Sequence, residues 1–123
     1  MKNILEVEDL GIMIDGEKIV KDISFFVHDQ HITCIVGESG SGKSITMSAV
    51  LGLLPKVACM TKESKIMVHG DSMFCIYQDP MNSLNSSVKV GKQLYQMAKG
   101  YKKMTRAEFD QQMGIILERI KFE

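Results

Sequence analysis

The amino-acid sequence predicts a mixed α/β fold. An antiparallel β region comes first, then a buried strand that enters a helix through a tight loop, then the start of a helical segment. Three observations predict it. Apolar and polar residues alternate near the N-terminus, as in a half-buried strand. A β-rich apolar run, Ile32-Thr33-Cys34-Ile35-Val36, leads through a Gly/Ser-rich stretch into residues with helical apolar spacing. From Val88 onward the spacing is helical again.

Ile4-Leu5-Glu6-Val7-Glu8 alternates and reads as the first strand, and Asp15-Gly16-Glu17 marks a turn. Ile19-Val20 and residues 23–27 resume strand character, and Asp29-Gln30 marks the next turn. Residues 32–36 form the clearest strand, suited to the middle of a sheet. Apolar side chains at 45, 47, 50, 51 and 54 suit a buried helix over residues 44–54 that Pro55 stops. Residues 56–65 read as loop and residues 65–69 as a strand ending at Gly70-Asp71. Residues 73–77 are a further apolar run leading to Gln78-Asp79, after which Pro80 ends regular structure. Thr105-Arg106-Ala107-Glu108 has capping-box spacing. Phe109, Met113, Ile116, Leu117 and Ile120 then form one apolar stripe, read as core.

The 123 residues, 45% apolar and 24% charged, have the composition of an ordinary globular domain. Fifteen Lys plus Arg balance fifteen Asp plus Glu, so no global field draws in nucleic acid or an anionic membrane. Lys99, Lys102, Lys103 and Arg106 bunch together and read as a solvated surface between two helices. The apolar runs at 32–36 and 50–54 fall far below the roughly 20 residues of a membrane-spanning helix. Glu6, Glu8 and Asp9 break any signal-peptide core. The chain is therefore expected in the cytoplasm, or on a membrane only through a partner. Cys34, Cys59 and Cys75 form no C-x-x-C pair; Cys34 and Cys75 lie in apolar runs and are expected as buried thiols. His28 and His31 fall at a strand-to-strand turn without a helix to aim them, so they are not read as metal ligands. His69 carries no signal.

The chemistry sits in Gly37-Glu38-Ser39-Gly40-Ser41-Gly42-Lys43-Ser44, a phosphate-binding P-loop. A triphosphate needs many hydrogen-bond donors near its oxygens and a compensating positive charge. Glycines at 37, 40 and 42 let the backbone bend around the phosphates, and the following helix presents its positive end. Lys43 reaches the β- and γ-phosphates, and the Ser44 hydroxyl is placed to ligate Mg²⁺. Four fixed positions match by chance in about 0.4% of chains of this length, and the strand-loop-helix context lowers that further.

Longer stretches carry a resemblance. Leu5-Glu6-Val7-Glu8-Asp9-Leu10, Val20-Lys21-Asp22-Ile23-Ser24-Phe25 and the P-loop wording are three of them. The most specific is Ile76-Tyr77-Gln78-Asp79-Pro80-Met81-Asn82-Ser83-Leu84-Asn85, followed by Val90-Gly91-Lys92-Gln93-Leu94. Together they resemble the ATP-binding subunits of ABC transporters, in the branch of oligopeptide, dipeptide and nickel importers. The resemblance implies an ABC-type P-loop core, partial over residues 1–87, with the start of a helical subdomain at 88–123. It implies ATP and Mg²⁺ as ligands. Gln78 stands at the Q-loop position, which touches metal and attacking water, and with Ser44 makes the Mg²⁺ contacts. It also implies transmembrane permease subunits, a second ATPase subunit in a head-to-tail dimer, and a peripheral place on the inner face of the membrane.

The chain departs from that pattern in four respects. No signature loop, Walker B aspartate with catalytic glutamate, or switch histidine follows within the 123 residues. Ile12, Met13 and Ile14 occupy the region where an aromatic residue usually stacks on adenine. Asp29-Gln30-His31 lacks the usual turn glycine, and the stretch between Gly70 and Gln78 is short. Hydrolysis is therefore expected of a full-length subunit and not of these residues alone. Two other readings stay open: a non-catalytic nucleotide-binding remnant or regulatory fragment, and a small P-loop kinase or GTPase using Asp79 as its metal carboxylate.

Overall fold

The computed structural model describes residues 1–79 and 82–122; Pro80, Met81 and Glu123, with the break expected at Pro80, lie outside them. The chain divides into two compact units, Met1–Phe74 and Cys75–Glu123.

The first unit is built on β1 (Asn3–Ile14) and β2 (Glu17–His28), an antiparallel hairpin around the Asp15-Gly16 turn. The sequence reads β1 as a strand only over residues 4–8 and β2 as two pieces, because the alternation breaks inside each. Asp9 and Asp22 both adopt positive φ, 46° and 51°, and the register shifts between Val7 and Leu10. Such an irregularity inserts a residue and reverses which face the next side chains take. Val7 and Leu10 are thus both buried though three residues apart. The Ser24 hydroxyl accepts the Asp9 amide at 2.9 Å, so the interrupted ladder leaves no donor unmet there.

After α1 (Lys43–Val50) come β3 (Ala58–Met60) and β4 (Lys65–Val68), which both pair antiparallel with β1, β3 at its end and β4 near its start. β1 is therefore the centre of a four-stranded sheet. The β3–β4 turn is tied to the β1 backbone at Gly11, whose N–H donates to Ser64 Oγ and whose carbonyl accepts from the Thr61 N–H. β4 falls where the sequence places it; β3 lies inside what reads as loop. Beside β4, Glu6 accepts from Asn3 Nδ2 at 2.7 Å and lies 2.9 Å from His69 Nε2. The Asn3 hydrogen bond first, and His69 second, hold the Glu6 carboxyl below its usual range.

Val7, Leu10 and Ile12 of β1 join Val20 of β2 and Ala49 and Val50 of α1 in the core. Full burial of a Leu or Ile side chain contributes about 1.5–3 kcal/mol, so this cluster is what holds helix to sheet. α1 ends at Val50, short of the expected Leu54. Gly52 at φ 71° stops it, with the Leu53 N–H returning to the Ser48 carbonyl at 2.8 Å and the Gly52 N–H to Ala49. That left-handed cap satisfies the last carbonyls before Pro55 is reached.

One expected strand is absent. Residues 32–36 carry no strand, and the apolar run 73–77 forms none either. Ile32 is 94% exposed, Val36 91% and Ile76 100%. A central strand is stable only with ladder partners on its edges, and among the described residues β1–β4 pair only with one another. The cysteines follow: Cys34 and Cys75, expected as buried thiols, are exposed with these runs, and Cys59 is exposed on β3.

The second unit holds α2 (Val90–Tyr101) and α3 (Arg106–Arg119). The capping box of α3 forms as its spacing predicts, Glu108 N–H to Thr105 Oγ1 and Thr105 N–H to Glu108 Oε2, both at 3.2 Å. Tyr95 and Phe109 rings meet at 5.3 Å and join the two helices. The stripe read as core is only partly so. Phe109 is buried, Met113 and Leu117 are half-buried, and Ile116 and Ile120 are exposed. Lys99 and Arg106 of the basic cluster stand 5.4 and 5.3 Å from the Tyr95 ring centroid. No described helix is long and apolar enough to cross a membrane.

Candidate functional site

The Gly/Ser-rich loop wraps the start of α1 inside the first unit. Gly42 is the residue before the helix, at φ 96°, a conformation that side chains with a Cβ rarely take. A Cβ there would also stand 3.1 Å from Val20 Cγ2. At Gly37 a Cβ would fall 2.6 Å from Ser41 Oγ, so a side chain there would require the Ser41 hydroxyl to turn away. The Ser41 N–H returns to the Glu38 carbonyl at 3.2 Å and tightens the bend. No side chain caps α1, so its first N–H groups are left for an outside acceptor, the condition for holding an anion.

Lys43 lies across the concavity. Its ammonium donates to the Gly37 carbonyl, to the Glu38 carbonyl at 2.6 Å and to Ser41 Oγ at 3.3 Å. The cation is thus held within the loop by neutral acceptors, with no described carboxylate in an ion pair with it. The Ser44 hydroxyl takes no hydrogen-bond partner among the described residues, while its carbonyl accepts from Ser48. Glu38, Ser39 and Gly40 form the exposed crest, Gly40 at φ 78°. Beside the loop runs a cleft of about 570 Å³, whose apolar lining includes Ile19, Ile23 and Phe25 of β2 and Val36.

These features fit a nucleotide triphosphate with its Mg²⁺. The loop turns at Gly40 and Gly42 through conformations that favour glycine, its helix end is uncapped, its cation faces inward, and a free hydroxyl follows. Of the three aliphatic residues at the expected adenine region, Ile12 is wholly buried in the sheet core and cannot touch a base. Met13 and Ile14 remain half-buried.

The eight loop residues are brought together in one unit; Gln78 belongs to the other. It is exposed and sits at a bend. Next to it, Asp79 Oδ2 accepts from Asn82 Nδ2 at 2.7 Å. His28 and His31 ring centroids are 5.8 Å apart, and no cluster of three or more candidate metal ligands occurs among the described residues. Sequence reasoning missed the hydrogen bonds of Gln93 to the loop before α2. No periodicity announces them, although Gln93 lies in one of the stretches that carry the resemblance.

The ABC transporter family model matches residues 20–123. The oligopeptide transport ATP-binding protein of Bacillus subtilis is 31% identical, over 95% of this chain and 38% of its own length. The corresponding protein of Salmonella typhimurium is 32% identical over 96% of this chain and 41% of its own. The glutathione import ATP-binding protein of Escherichia coli is 31% identical, covering 97% of this chain and 23% of its own. The chain thus spans well under half the length of these relatives. The matched stretches run over 137, 136 and 144 residues, more than the 123 present here, so the relatives carry residues with no counterpart in this chain.

Proposed function

Because the chain belongs to the ABC transporter family, we propose that it is the ATP-binding, energy-coupling subunit of an ABC importer, or the N-terminal part of one. Its antiparallel sheet followed by helices is the N-terminal architecture of an ABC-type P-loop NTPase. The observation that carries the proposal is the loop around Lys43: inward cation, turns at Gly40 and Gly42, and uncapped α1. In this reading residues 1–87 form the partial nucleotide-binding core and residues 88–123 open a helical subdomain. The relatives' names point to peptides as the transported class; nickel is the alternative carried by the resemblance.

The residues divide the work. The N–H groups of residues 37–44 and the start of α1 hydrogen-bond the phosphates. Lys43 balances the charge that grows on the β- and γ-phosphates as the bond between them lengthens. Ser44 and Gln78 would hold Mg²⁺, which would supply positive charge against the phosphates. Gln78, a neutral amide, orients the attacking water without adding charge. Permease subunits and a second ATPase subunit complete the machine at the inner face of the membrane. For the 123 residues alone, MgATP binding without turnover is the expected behaviour.

A second reading, a nucleotide-binding remnant or regulatory fragment without catalysis, draws on the unpaired residues 32–36. Family membership takes precedence over the kinase or GTPase reading of Asp79.

Titration with a fluorescent ATP analogue tests the proposal. Binding should weaken about ten- to hundredfold in Lys43→Ala, as for loss of charge-assisted hydrogen bonds, with the melting temperature unchanged. No binding at millimolar analogue overturns the nucleotide reading. Turnover by these residues that Lys43→Ala abolishes overturns the expectation that the chain alone is inactive.

A further inference from the structure

We propose that the basic face of α2 and of the turn after it is a docking surface for anionic phospholipid headgroups. The surface lies wholly within the second unit and does not rest on the nucleotide reading.

The even charge balance of the whole chain hides a local excess. Residues 82–107 hold Lys89, Lys92, Lys99, Lys102, Lys103 and Arg106 and no Asp or Glu. All six cations are exposed. The two carboxylates that follow are engaged within α3. Glu108 accepts the Thr105 N–H in the capping box, and Asp110 accepts from Arg106 Nε at 2.9 Å. Among the described residues no carboxylate forms an ion pair with any of the five lysines. Their charge is turned outward and left uncancelled.

The fold gathers these cations. Lys92 and Lys99 are seven residues apart on α2 and share a face. Lys99 and Arg106 both stand against the Tyr95 ring, which brings the start of α3 to the last turn of α2. Lys102 and Lys103 occupy the turn between the helices. A helix face meant only for water intersperses both signs, and α3 does so, with Glu108, Asp110 and Glu118 among Arg106 and Arg119. α2 carries cations alone. Several clustered Lys and Arg on or beside a helix are the pattern that an anionic leaflet attracts, each adding to the attraction within a Debye length.

A bilayer asks for a broad field of charge and no base-stacking ring. Single-stranded nucleic acid also asks for exposed aromatic platforms. Tyr95, at the centre of this surface, is half-buried and packed on Phe109. Tyr101, two residues past Lys99, turns to another side of the helix. The lipid surface is the better match.

Co-sedimentation of the 123-residue chain with vesicles tests the proposal. The chain should bind vesicles of phosphatidylcholine containing about one-third phosphatidylglycerol, and should not bind phosphatidylcholine alone. Raising salt from about 0.05 to 0.5 M should release it. Lys99→Gln, Lys102→Gln and Lys103→Gln combined should weaken binding about ten- to a hundredfold. Arginine at the same three positions keeps the charge and should keep the binding. The same neutralisation at Lys2, Lys56 and Lys62, exposed lysines of the first unit, should change it by less than about twofold. Equal losses in the two glutamine variants would mean that only net charge matters, and would overturn the inference. Equal binding to phosphatidylcholine alone, or no binding to the anionic vesicles, overturns it as well. Tighter binding to a short RNA than to the vesicles, lost in the first variant, gives the surface to nucleic acid and overturns the lipid reading. None of these outcomes touches nucleotide binding, which the Lys43→Ala titration reads separately.

Discussion

The antiparallel sheet and the run before the P-loop are both rich in β-forming residues, yet only the first is a sheet. β1 and β2 are joined by a two-residue turn, and β3 and β4 return from residues 58–68 to pair with residues 5–14 of β1. Each finds its ladder within the first 68 residues. Residues 32–36, with four of five side chains apolar and none charged, find no neighbour and stay exposed. Local composition states what a segment would do when paired. Whether it is paired depends on whether another segment, near or far in the chain, offers it an open edge.

Paired mutations break or sharpen this contrast. The largest effect is expected at Leu10, which is fully buried. Leu10→Ala should cost about 2–5 kcal/mol in urea unfolding, whereas Ile35→Ala, at 42% exposed, should cost less than about 0.5 kcal/mol. Equal losses would mean that residues 32–36 are packed. A smaller and kinetic effect concerns Cys34: its thiol should react with a soluble aromatic disulfide at a rate like that of exposed Cys59. Slower reaction in a chain extended to the relatives' length would show the run acquiring partners.

The smallest effect is at the sheet edge. Glu6 has its carboxyl held below the usual range by Asn3 and His69. A depressed carboxyl contributes stability above its unfolded pKa and loses it as pH falls through the folded one. Stability should therefore decline on acidification below about pH 4.3, and Glu6→Gln should flatten that decline slightly in unfolding curves taken across the acid range. An unchanged slope would remove Glu6 from the account.

Much of this was readable beforehand, for physical reasons that differ by element. The Asp15-Gly16 and Asp29-Gln30 turns and the α3 cap are decided by contacts within a few residues, and the sequence spells such contacts out; β4 pairs with distant β1 but shows in its own apolar run. The P-loop is legible because bending around phosphate demands glycines at fixed places. β3 was not legible, since Cys59 and Met60 have no alternation and the strand exists only because β1 offers an edge. The helix end at Gly52 was masked by Pro55, the louder signal. Gln93 had no legible role, because its partners are backbone atoms, which every residue has.

The exposed run before the P-loop also governs how the protein behaves at high concentration. Five uncharged residues with free backbone donors and acceptors are an open template for another chain. At neutral pH the formal net charge is zero, so no long-range repulsion keeps two molecules apart. Colloidal stability is poorest near pH 7, and moving the buffer a few units to either side lends the molecules the like charge that the sequence withholds.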